Sequence, residues 1–431
     1  MPKFVVHGGE RLRGTIRPTG NKNAALPMLA ATLLTDEDVV LENVPRIKDV
    51  LTLIDLLKAL GASAEWTGDN EVTVRAANVG HSHLDEAAAA RIRASILLAG
   101  PMVARTGGMK LPPPGGDVIG RRRLDTHFLA LQKLGASVEY GANIFEIRAN
   151  GLVGADMFLD EPSVTATENA IMAAALAKGT TRIRNAAAEP HVQDLCHMVA
   201  GMGAKVDGIG TGTLLIEGAQ KLHGGRFRIT SDHIEVGSFI GLAAVTRSEI
   251  TIEDAAVEHL DSTLIGFSRL GIRGEIRGKD LFIPGDQEMR VQMDVGGHIP
   301  KIDDGPWPAF PADLTSIALV TATQCEGTIL VHEKMFESRM FFSDKLVSMG
   351  ATLLLCDPHR VLVIGPSRLR GGLVESPDIR AGMALLIAAL GAEGRSHILN
   401  IGQIERGYQQ IDVRLRALGA NIERSDSRAG E

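Results

Sequence analysis

Apolar and polar residues follow one order along the chain that is repeated six times, at an interval of roughly 70 residues. Each copy contains a segment with apolar side chains at positions i, i+3, i+4 and i+7, which is typical of a helix with one buried face. A glycine follows where a helix commonly ends in a left-handed residue. The pattern predicts six surface helices, and they end at Leu60-Gly61-Ala62, Leu134-Gly135-Ala136, Met202-Gly203-Ala204, Leu270-Gly271-Ile272, Met349-Gly350-Ala351 and Leu418-Gly419-Ala420.

A second, more uniformly apolar segment precedes each surface helix, and a short β-branched segment lies between the two. Because a helix that is apolar on all sides is a buried one, these segments predict six buried helices, each followed by a strand. Two further strand-like segments follow each of the first five tripeptides, whereas the sixth is followed by a polar tail, Asn421 to Glu431. The predicted unit is a buried helix, a strand, a surface helix and a strand pair. A doubly wound sheet with chance Leu-Gly-Ala endings would not produce this order.

Six units divide naturally into two domains of three, with a crossover near Thr230 and Ser231. The opening segment, Phe4 to Arg17, has no tripeptide before it, and the last unit lacks its closing strand pair. The opening segment can therefore complete the last unit. We predict an α/β fold with one domain of residues 21–231, which contains a loop at 111–123, and a second domain of residues 1–20 and 232–431.

Composition narrows the possible partners. The formal net charge of −7 argues against general binding to nucleic acids or to anionic membranes. No apolar run reaches the roughly 18 residues of a membrane span, and the first residues lack a signal-peptide pattern, so we expect a cytoplasmic protein. Cys196, Cys325 and Cys356 are far apart in apolar contexts, which predicts buried, inert thiols. No Cys/His spacing suggests a metal site, and we expect neither a metal nor an organic cofactor.

One connection departs from the repeat. The segment LPPPGGDVIGRRRLDTH, Leu111 to His127, is longer than its five counterparts and combines prolines, glycines, two acids and three arginines. Proline fixes φ and glycine permits positive φ, so the composition predicts a shaped loop. A lone loop of this kind is most often a solvated excursion. An insertion in one of six repeats favours a functional role instead.

A further segment, TGNKNAA at Thr19 to Ala25, places a lysine where a buried helix begins, which favours anion binding. Together with the arginine-rich loop and the motifs ARIRASI, AFPAD, SPDIRAG and QIERGYQQID, it resembles the enolpyruvyl transferases over virtually the whole chain. The resemblance implies an inverse α/β barrel of two domains that close on substrate. It also implies that a sugar hydroxyl adds to C2 of phosphoenolpyruvate while C3 is protonated, after which the adduct loses phosphate.

The motifs are most similar to those of family members whose acceptor is UDP-N-acetylglucosamine, used in peptidoglycan synthesis. Transfer to another acceptor, such as shikimate 3-phosphate or a different nucleotide sugar, remains an alternative. So does a catalytically idle paralogue that binds a UDP-sugar. The reaction needs cations for a phosphate and a carboxylate, a base near the hydroxyl and an acid near C3.

The resemblance implies a role for each matching residue. The catalytic group comprises Asp117 as the acid, Asp313 as the base, Lys22 and Arg406. The implied substrate contacts are Lys22, Arg93, Arg122 and Arg406 for the phosphate, Arg380 for the carboxylate, Asn23 and Asp313 for the sugar, Asp125, His127, Ser163 and Val164 for the nucleotide, and Arg339. Arg121 and Arg123 are interpreted as solvated neighbours.

Several positions depart from the family pattern. Asp117 stands where many members carry the cysteine that the epoxide antibiotic fosfomycin alkylates. A protonated carboxylic acid can also donate a proton, so we expect an active but fosfomycin-insensitive enzyme. Further departures are Thr165 and His191 near the expected nucleotide pocket, and Thr315-Ser316 after the expected base.

Overall fold

The computed structural model describes residues 2–80, 84–117 and 119–425, so Val118 of the predicted loop and residues 426–431 of the predicted tail lie outside the described residues. The chain forms two compact units. The N-terminal unit holds the described residues within 20–117 and 122–230. The C-terminal unit holds those up to Thr19, residues 119–121 and those from Ser231 onward.

Helices in the described residues are short, and several begin with a 3-10 turn. The α-helices are α1 Lys22–Ala31, α2 Lys48–Ala59, α3 Glu86–Ala89, α4 Ala99–Thr106, α5 Asp125–Lys133, α6 Val164–Ala174, α7 Pro190–Gly201, α8 His233–Val245, α9 Asp261–Ser268, α10 Thr315–Ala322, α11 Ser343–Ser348, α12 Ile379–Gly391 and α13 Ile411–Ala417. The 3-10 turns are Thr32–Leu34, Arg93–Leu98, Val257–His259, Ala312–Leu314, Arg339–Phe342 and Ile404–Arg406.

Strands are three to six residues long. They are β1 Lys3–His7, β2 Arg13–Ile16, β3 Asp38–Glu42, β4 Ser63–Gly68, β5 Glu71–Arg75, β6 Gly108–Leu111, β7 Ser137–Gly141, β8 Ile144–Arg148, β9 Asp156–Phe158, β10 Thr180–Arg184, β11 Lys205–Asp207, β12 Thr213–Glu217, β13 Gly225–Arg228, β14 Glu249–Ile252, β15 Glu275–Arg277, β16 Asp280–Ile283, β17 Lys301–Asp303, β18 Gly327–His332, β19 Leu353–Asp357, β20 Arg360–Gly365, β21 Leu373–Glu375, β22 Arg395–Leu399 and β23 Asn421–Ser425.

Buried helices occupy the centre of each unit. In the C-terminal unit α8, α10 and α12 pack against one another, and nearly every residue of these helices is inaccessible to water. In the N-terminal unit α1, α4 and α6 take the same places, with the 3-10 turn at Arg93–Leu98 packed between α1 and α6. Each unit has its own apolar core. The six uniformly apolar segments are therefore confirmed as buried helices.

Three sheets surround the helices of each unit. The N-terminal unit has the strand orders β13-β3-β5-β4, β6-β8-β7 and β11-β12-β10-β9, and the C-terminal unit has β15-β16-β14-β2, β17-β18-β20-β19 and β21-β22-β1-β23. Every four-stranded sheet among the described residues contains one parallel pair, formed by the strand that precedes a buried helix. Helices inside and sheets outside make each unit an inverse α/β barrel, which confirms the predicted fold class.

The opening segment of the chain completes the sixth repeat. Strand β1 lies between β22 and β23, with Phe4 opposite both Ile398 and Arg424. The interpretation of residues 421–425 as polar tail is wrong, because this stretch forms β23. The alternation in Asn421–Ser425, where Ile422 is buried between exposed polar neighbours, is that of a strand with one wet face.

Two further predictions need correction. Cys196 and Cys325 are buried as expected, and burial raises the pKa of each thiol to about 12, but Cys356 is exposed on the outer face of β19. Strand alternation, which turns successive side chains to opposite faces, overrides its apolar context. The segment from Arg91 to Ala104, which the pattern predicts as one buried helix, forms a 3-10 turn at Arg93–Leu98, and α4 begins only at Ala99. None of the described helices has the length and apolarity needed to cross a membrane.

Candidate functional site

Lys22 and Asn23 lie in the first turn of α1, in the N-terminal unit. The Asn21 side chain caps this end by accepting hydrogen bonds from the backbone N–H groups of Asn23 and Ala24. Lys22 Nζ lies 3.0 Å from Asp49 Oδ2 at the start of α2, and both side chains are largely buried. A buried, paired ammonium at a helix N-terminus is held in one place, which suits the binding of an anion.

Arg93 supports the chain that leaves the glycine-rich loop. Its Nη2 donates to the carbonyl oxygens of Arg122 and Arg123, at 2.9 and 3.0 Å. Gly116 has a φ of +111°, and a Cβ at this position would lie 2.9 Å from Arg93 Cβ and 3.2 Å from Arg122 Nη1. A Cβ on Gly115 would lie 1.6 Å from the carbonyl oxygen of Ala90. Both loop glycines are therefore required by close packing against the Arg93 segment.

The surroundings of Arg93 carry excess positive charge. Burial, and then the charge of Arg122, lowers the pKa of Arg93 to about 10. Burial, with the charges of Arg93 and Arg122, also lowers the pKa of His127 to about 3. Because each guanidinium disfavours the other, an anion bound at this point would relieve the repulsion.

His127 lies inside a hydrogen-bonded network rather than on a surface. Its Nε2 is 3.1 Å from Thr165 Oγ1, and its Nδ1 is 2.8 Å from Asn169 Nδ2. Since the Asn169 amide donates, the ring accepts at Nδ1 and donates from Nε2 to Thr165. His127 is only 1% exposed and thus supports the start of α6 instead of presenting a free ring nitrogen.

Ser163, Val164 and Thr165 form that start of α6, are half-buried, and have no side chain capping the helix end. Asp125 is exposed at the start of α5, which packs against α6. Asp125 and Asp160 both form ion pairs with Arg123, at 3.2 and 3.0 Å. Arg123 is therefore exposed but paired, rather than simply solvated.

Loop residues 119–121 belong to the C-terminal unit. Ser338 donates its backbone N–H to the carbonyl oxygen of Ile119, and Arg121 donates its backbone N–H to Glu337 Oε2 at 3.2 Å. Gly120 has a φ of +131°, and a Cβ there would lie 2.2 Å from Glu337 Oε2. Asp117, on the other side of Val118, is half-buried and is grouped with the N-terminal unit.

Asp313 lies between two buried arginines in the C-terminal unit. Its Oδ1 is 3.0 Å from Arg339 Nη2, and its Oδ2 is 3.0 Å from Arg380 Nε and 2.9 Å from Arg380 Nη2. The side chain of Asp313 is 26% exposed, whereas those of Arg339 and Arg380 are 3% and 5% exposed. The carboxylate is thus held by fixed cations while one side faces solvent.

Arg380 is fixed from several directions. Asp378 caps α12 by accepting the Arg380 backbone N–H, and Arg380 Nη1 donates to the Tyr408 hydroxyl at 3.2 Å, which contacts Ser238 Oγ at 2.8 Å. Burial alone would lower the pKa of Arg380, but the negative charge of Asp313 and the contact with Tyr408 raise it above its usual value. The guanidinium therefore stays charged although it is buried.

The remaining predicted residue, Arg406, is half-buried at the end of the 3-10 turn Ile404–Arg406, where its Nη1 donates to Gln403 Oε1 at 2.9 Å. The structure thus brings Asp313, Arg339 and Arg380 into direct contact. It also links Arg93 to Arg122 by a hydrogen bond from the Arg93 side chain to the Arg122 backbone. Neighbouring elements of the same unit carry Lys22, His127, Ser163 and Val164.

Several residues near Asp313 and Arg339 were not predicted from the sequence. Glu333 directly follows β18, accepts the Thr315 hydroxyl at 2.7 Å and lies 3.5 Å from Arg339 Nε. Thr315, which the sequence showed only as a departure from the family pattern, therefore donates a hydrogen bond that holds Glu333. An acid that ends a buried strand was the available signal for Glu333. His233, whose pKa burial lowers to about 3, faces Trp307 at a ring distance of 6.1 Å, and no motif pointed to this contact.

The chain is similar to known proteins over nearly its full length. Residues 6–415 match the family EPSP synthase (3-phosphoshikimate 1-carboxyvinyltransferase). UDP-N-acetylglucosamine 1-carboxyvinyltransferase of Bradyrhizobium diazoefficiens is 60% identical over 426 residues, which is 99% of each chain. The protein of the same name from Treponema denticola is 55% identical over 98% of this chain and 99% of its own.

Among solved structures, the enolpyruvyl transferase NikO from Streptomyces tendae superposes with a TM-score of 0.88 at 24% identity and covers 99% of both chains. At this identity the likeness establishes the fold. The two closely similar relatives and the family match establish more: the chain belongs to the EPSP synthase family and, within it, to the UDP-N-acetylglucosamine 1-carboxyvinyltransferases.

Proposed function

We propose that the protein transfers the enolpyruvyl group of phosphoenolpyruvate to the 3-hydroxyl of UDP-N-acetylglucosamine and releases phosphate, the first committed step of peptidoglycan synthesis. The observation that carries this proposal is 60% identity, over virtually the whole chain, to a relative with that name. The site geometry adds chemical support, because the reaction needs fixed cations and a carboxylate base. We place the reaction in the cytoplasm, a reducing compartment that suits the free thiols of the chain.

In this proposal Lys22, Arg93, Arg122 and Arg406 bind the phosphate of phosphoenolpyruvate. The depressed pKa values around Arg93 support an anion there, since a bound phosphate would replace guanidinium repulsion with attraction. Asn23 and Asp313 contact the sugar. The uncapped start of α6 at Ser163 and Val164 receives the diphosphate, with Asp125 beside it and His127 as its internal support.

Asp313 accepts the proton of the sugar hydroxyl. Its two arginine partners keep it ionised, but a carboxylate held by two guanidinium groups is a weak base. The carboxylate of phosphoenolpyruvate would compete with Asp313 for Arg380. Loss of the contact between Arg380 and Asp313 Oδ2 would then free that oxygen to accept a proton only when phosphoenolpyruvate is bound.

Arg380 has the donors for this exchange. Three of its five N–H groups are directed at Asp313 and Tyr408. We assign the remaining two to the first contact with the substrate carboxylate, which then also takes over the two groups that face Asp313. Asp117 supplies the proton to C3 in its protonated form. Arg339 holds Asp313 from the other oxygen and keeps the base in place during the exchange.

Phosphate release tests the proposal directly. The purified protein should release phosphate from phosphoenolpyruvate with UDP-N-acetylglucosamine, and much more slowly with shikimate 3-phosphate or with no acceptor. Asp313→Asn should abolish turnover but still bind UDP-N-acetylglucosamine in titration calorimetry. Faster turnover with another acceptor would overturn the proposed acceptor. Sugar-nucleotide binding with no phosphate release would indicate an idle paralogue.

A further inference from the structure

Two buried carboxyl groups lie near Arg339 in addition to Asp313: Glu333, which is 3.5 Å from Arg339 Nε, and its neighbour Asp304. Glu333 is 0% exposed and Asp304, which follows β17, is 1% exposed. Glu333 Oε1 accepts the backbone N–H groups of Met335 and Phe336, each at 3.2 Å, and its Oε2 accepts the Thr315 hydroxyl. Glu333 is thus held in one orientation by three donors.

The Asp304 carboxyl group is held by a hydrogen bond at one oxygen only. Its Oδ1 accepts the backbone N–H of Lys334 at 2.5 Å, but its Oδ2 is buried and receives no donor from the described residues. The carboxyl group of Glu333 lies within interaction distance of the Asp304 side chain. Two ionised carboxylates in contact have no hydrogen to share, and burying both charges would be costly. One proton placed between them satisfies the orphaned oxygen and removes one charge.

We propose that Asp304 and Glu333 hold one proton between their carboxyl groups, and that the single negative charge of this acid pair positions Arg339 against Asp313. This inference rests on the proposed function, which makes Asp313 the base. Glu333 and Asp304 are then positioning residues, since they act on the substrate only through Arg339 and Asp313.

The charged groups around Asp304 and Glu333 are consistent with one shared proton and one negative charge in the pair. Arg339 Nε lies 3.5 Å from Glu333 Oε2 and its Nη2 lies 3.0 Å from Asp313 Oδ1, so the guanidinium is near both the acid pair and the proposed base. The charges of Asp378 and Arg380 also act on Arg339. His359 contacts the backbone N–H and carbonyl groups of Glu333, and Lys334 directs its ammonium at Asp303.

The titration of Glu333 supports the same conclusion. Burial, opposed by the charge of Arg339 and reinforced by Asp304, raises the pKa of Glu333 to about 8. One carboxyl of the pair is therefore protonated at neutral pH.

Replacing Glu333 or Asp304 by the corresponding amide tests whether the two carboxyl groups share a proton or whether each is ionised and acts as a separate charge. Glu333→Gln or Asp304→Asn leaves one N–H donor and one negative charge in the pair, as the shared proton does. Each single variant should lower kcat by only about threefold. The double variant leaves no negative charge in the pair, so Arg339 is drawn more tightly to Asp313 and kcat should fall by about 30-fold or more.

The kinetic pattern distinguishes positioning from general damage. In the double variant KM for phosphoenolpyruvate should stay within about threefold, and the acid limb of the kcat profile should move to lower pH because Asp313 becomes a weaker base. The matched control is Asp286→Asn with Glu326→Gln, two exposed acids of the same unit that pair with surface arginines. A single variant as impaired as the double, or a double variant as active as the singles, would overturn the proposal.

Infrared spectroscopy tests the proton without relying on activity. The difference spectrum between the wild-type protein and each amide variant at pH 7 should contain the C=O stretch of a buried protonated carboxylic acid, which shifts in D2O. Glu168, whose pKa burial also raises, contributes equally to both samples and cancels. Absence of this difference band in both variants would overturn the acid pair. Presence of the band in a protein that releases no phosphate would refute the proposed function and leave the acid pair standing.

Discussion

At the scale of single residues, Arg380 shows why charge alone does not define a role. Its nitrogens contact Asp313 and Tyr408 in a planar arrangement, and we assign its remaining donors to a substrate carboxylate. A lysine keeps the positive charge but loses this geometry.

Arg380→Lys should therefore reduce kcat/KM for phosphoenolpyruvate by about 100-fold or more, equivalent to about 3 kcal/mol. The Kd for UDP-N-acetylglucosamine, measured by titration calorimetry, should change by less than about threefold because other residues bind the nucleotide. Arg368→Lys is the matched control, since Arg368 is an exposed arginine of the same unit that pairs with Glu393. Equal losses for both substrates would assign Arg380 a structural role.

A second residue-scale prediction concerns Asp117 and fosfomycin. Opening an epoxide needs a strong, soft nucleophile such as a thiolate, and a carboxylate is a weak one. The wild-type protein should be active and form no lasting adduct with the drug. The Asp117→Cys variant should retain turnover in the absence of fosfomycin and lose activity over time in its presence. The Asp117→Ala variant should lose most turnover even without the drug.

Intact mass and peptide mapping after incubation with fosfomycin and UDP-N-acetylglucosamine provide the measurement. Cys356 is exposed and serves as an internal control for non-specific alkylation. Modification of Asp117→Cys at residue 117 but not at Cys356 would support the assignment. A covalent adduct on Asp117 of the wild-type protein would contradict it.

Candidate site residues were recognisable from the sequence where a motif contains them, and not where only packing brings them to the site. Asp313 and Arg380 stand in the recognisable segments AFPAD and SPDIRAG, and the structure brings them together. Glu333 and Asp304 stand in no such motif. Their significance depends on burial and on an oxygen without a donor, and neither property is visible before the chain folds.

At the scale of elements, the glycine-rich loop is shaped by contacts rather than by turns alone. Gly116 combines a positive φ with a position where a Cβ would press on Arg93 and Arg122. Gly116→Ala should therefore displace two proposed phosphate ligands and lower kcat/KM for phosphoenolpyruvate by roughly tenfold or more.

Gly151→Ala is the control that shows the effect of backbone strain without a contact to Arg93 and Arg122. Gly151 has a φ of +81° in the same unit, but a Cβ there would meet no atom within 4 Å. It should cost about 1–2 kcal/mol of stability, measured by denaturant unfolding, and leave kinetics with phosphoenolpyruvate intact. If both variants affected the kinetics equally, contact with Arg93 and Arg122 would not explain the Gly116 requirement.

The elements themselves were largely predictable because each has a distinct period. The all-apolar segments became α1, α4, α6, α8, α10 and α12, and the strand pairs after the first five tripeptides formed as expected. The exceptions depend on partners distant in sequence. Residues 421–425 form a strand because β1, from the other end of the chain, pairs with them. The 3-10 start at Arg93 accompanies packing between α1 and α6, which the local sequence does not encode.

At the scale of the whole molecule, two units with separate cores each contain a buried histidine beside arginine. Burial, with nearby positive charge, lowers the pKa of His127 in the N-terminal unit and of His233 in the C-terminal unit to about 3. Unfolded histidine titrates near 6.5, so between about pH 6.5 and about pH 3 the unfolded chain binds protons that the folded chain excludes.

Each histidine therefore contributes stability that is fully present above about pH 6.5 and is lost as the pH falls toward 3, by roughly 1.4 kcal/mol per pH unit. We expect His127→Gln to flatten the acid dependence of unfolding of the N-terminal unit, and His233→Gln that of the C-terminal unit. Denaturant unfolding followed by hydrogen exchange between pH 4 and pH 8 resolves the two units by their peptides. His197→Gln, at an exposed position of α7, is the control and should change neither slope. If His127→Gln flattened the acid dependence of both units equally, the two cores would unfold as one cooperative body, and separate apolar clusters would not be separate units of stability.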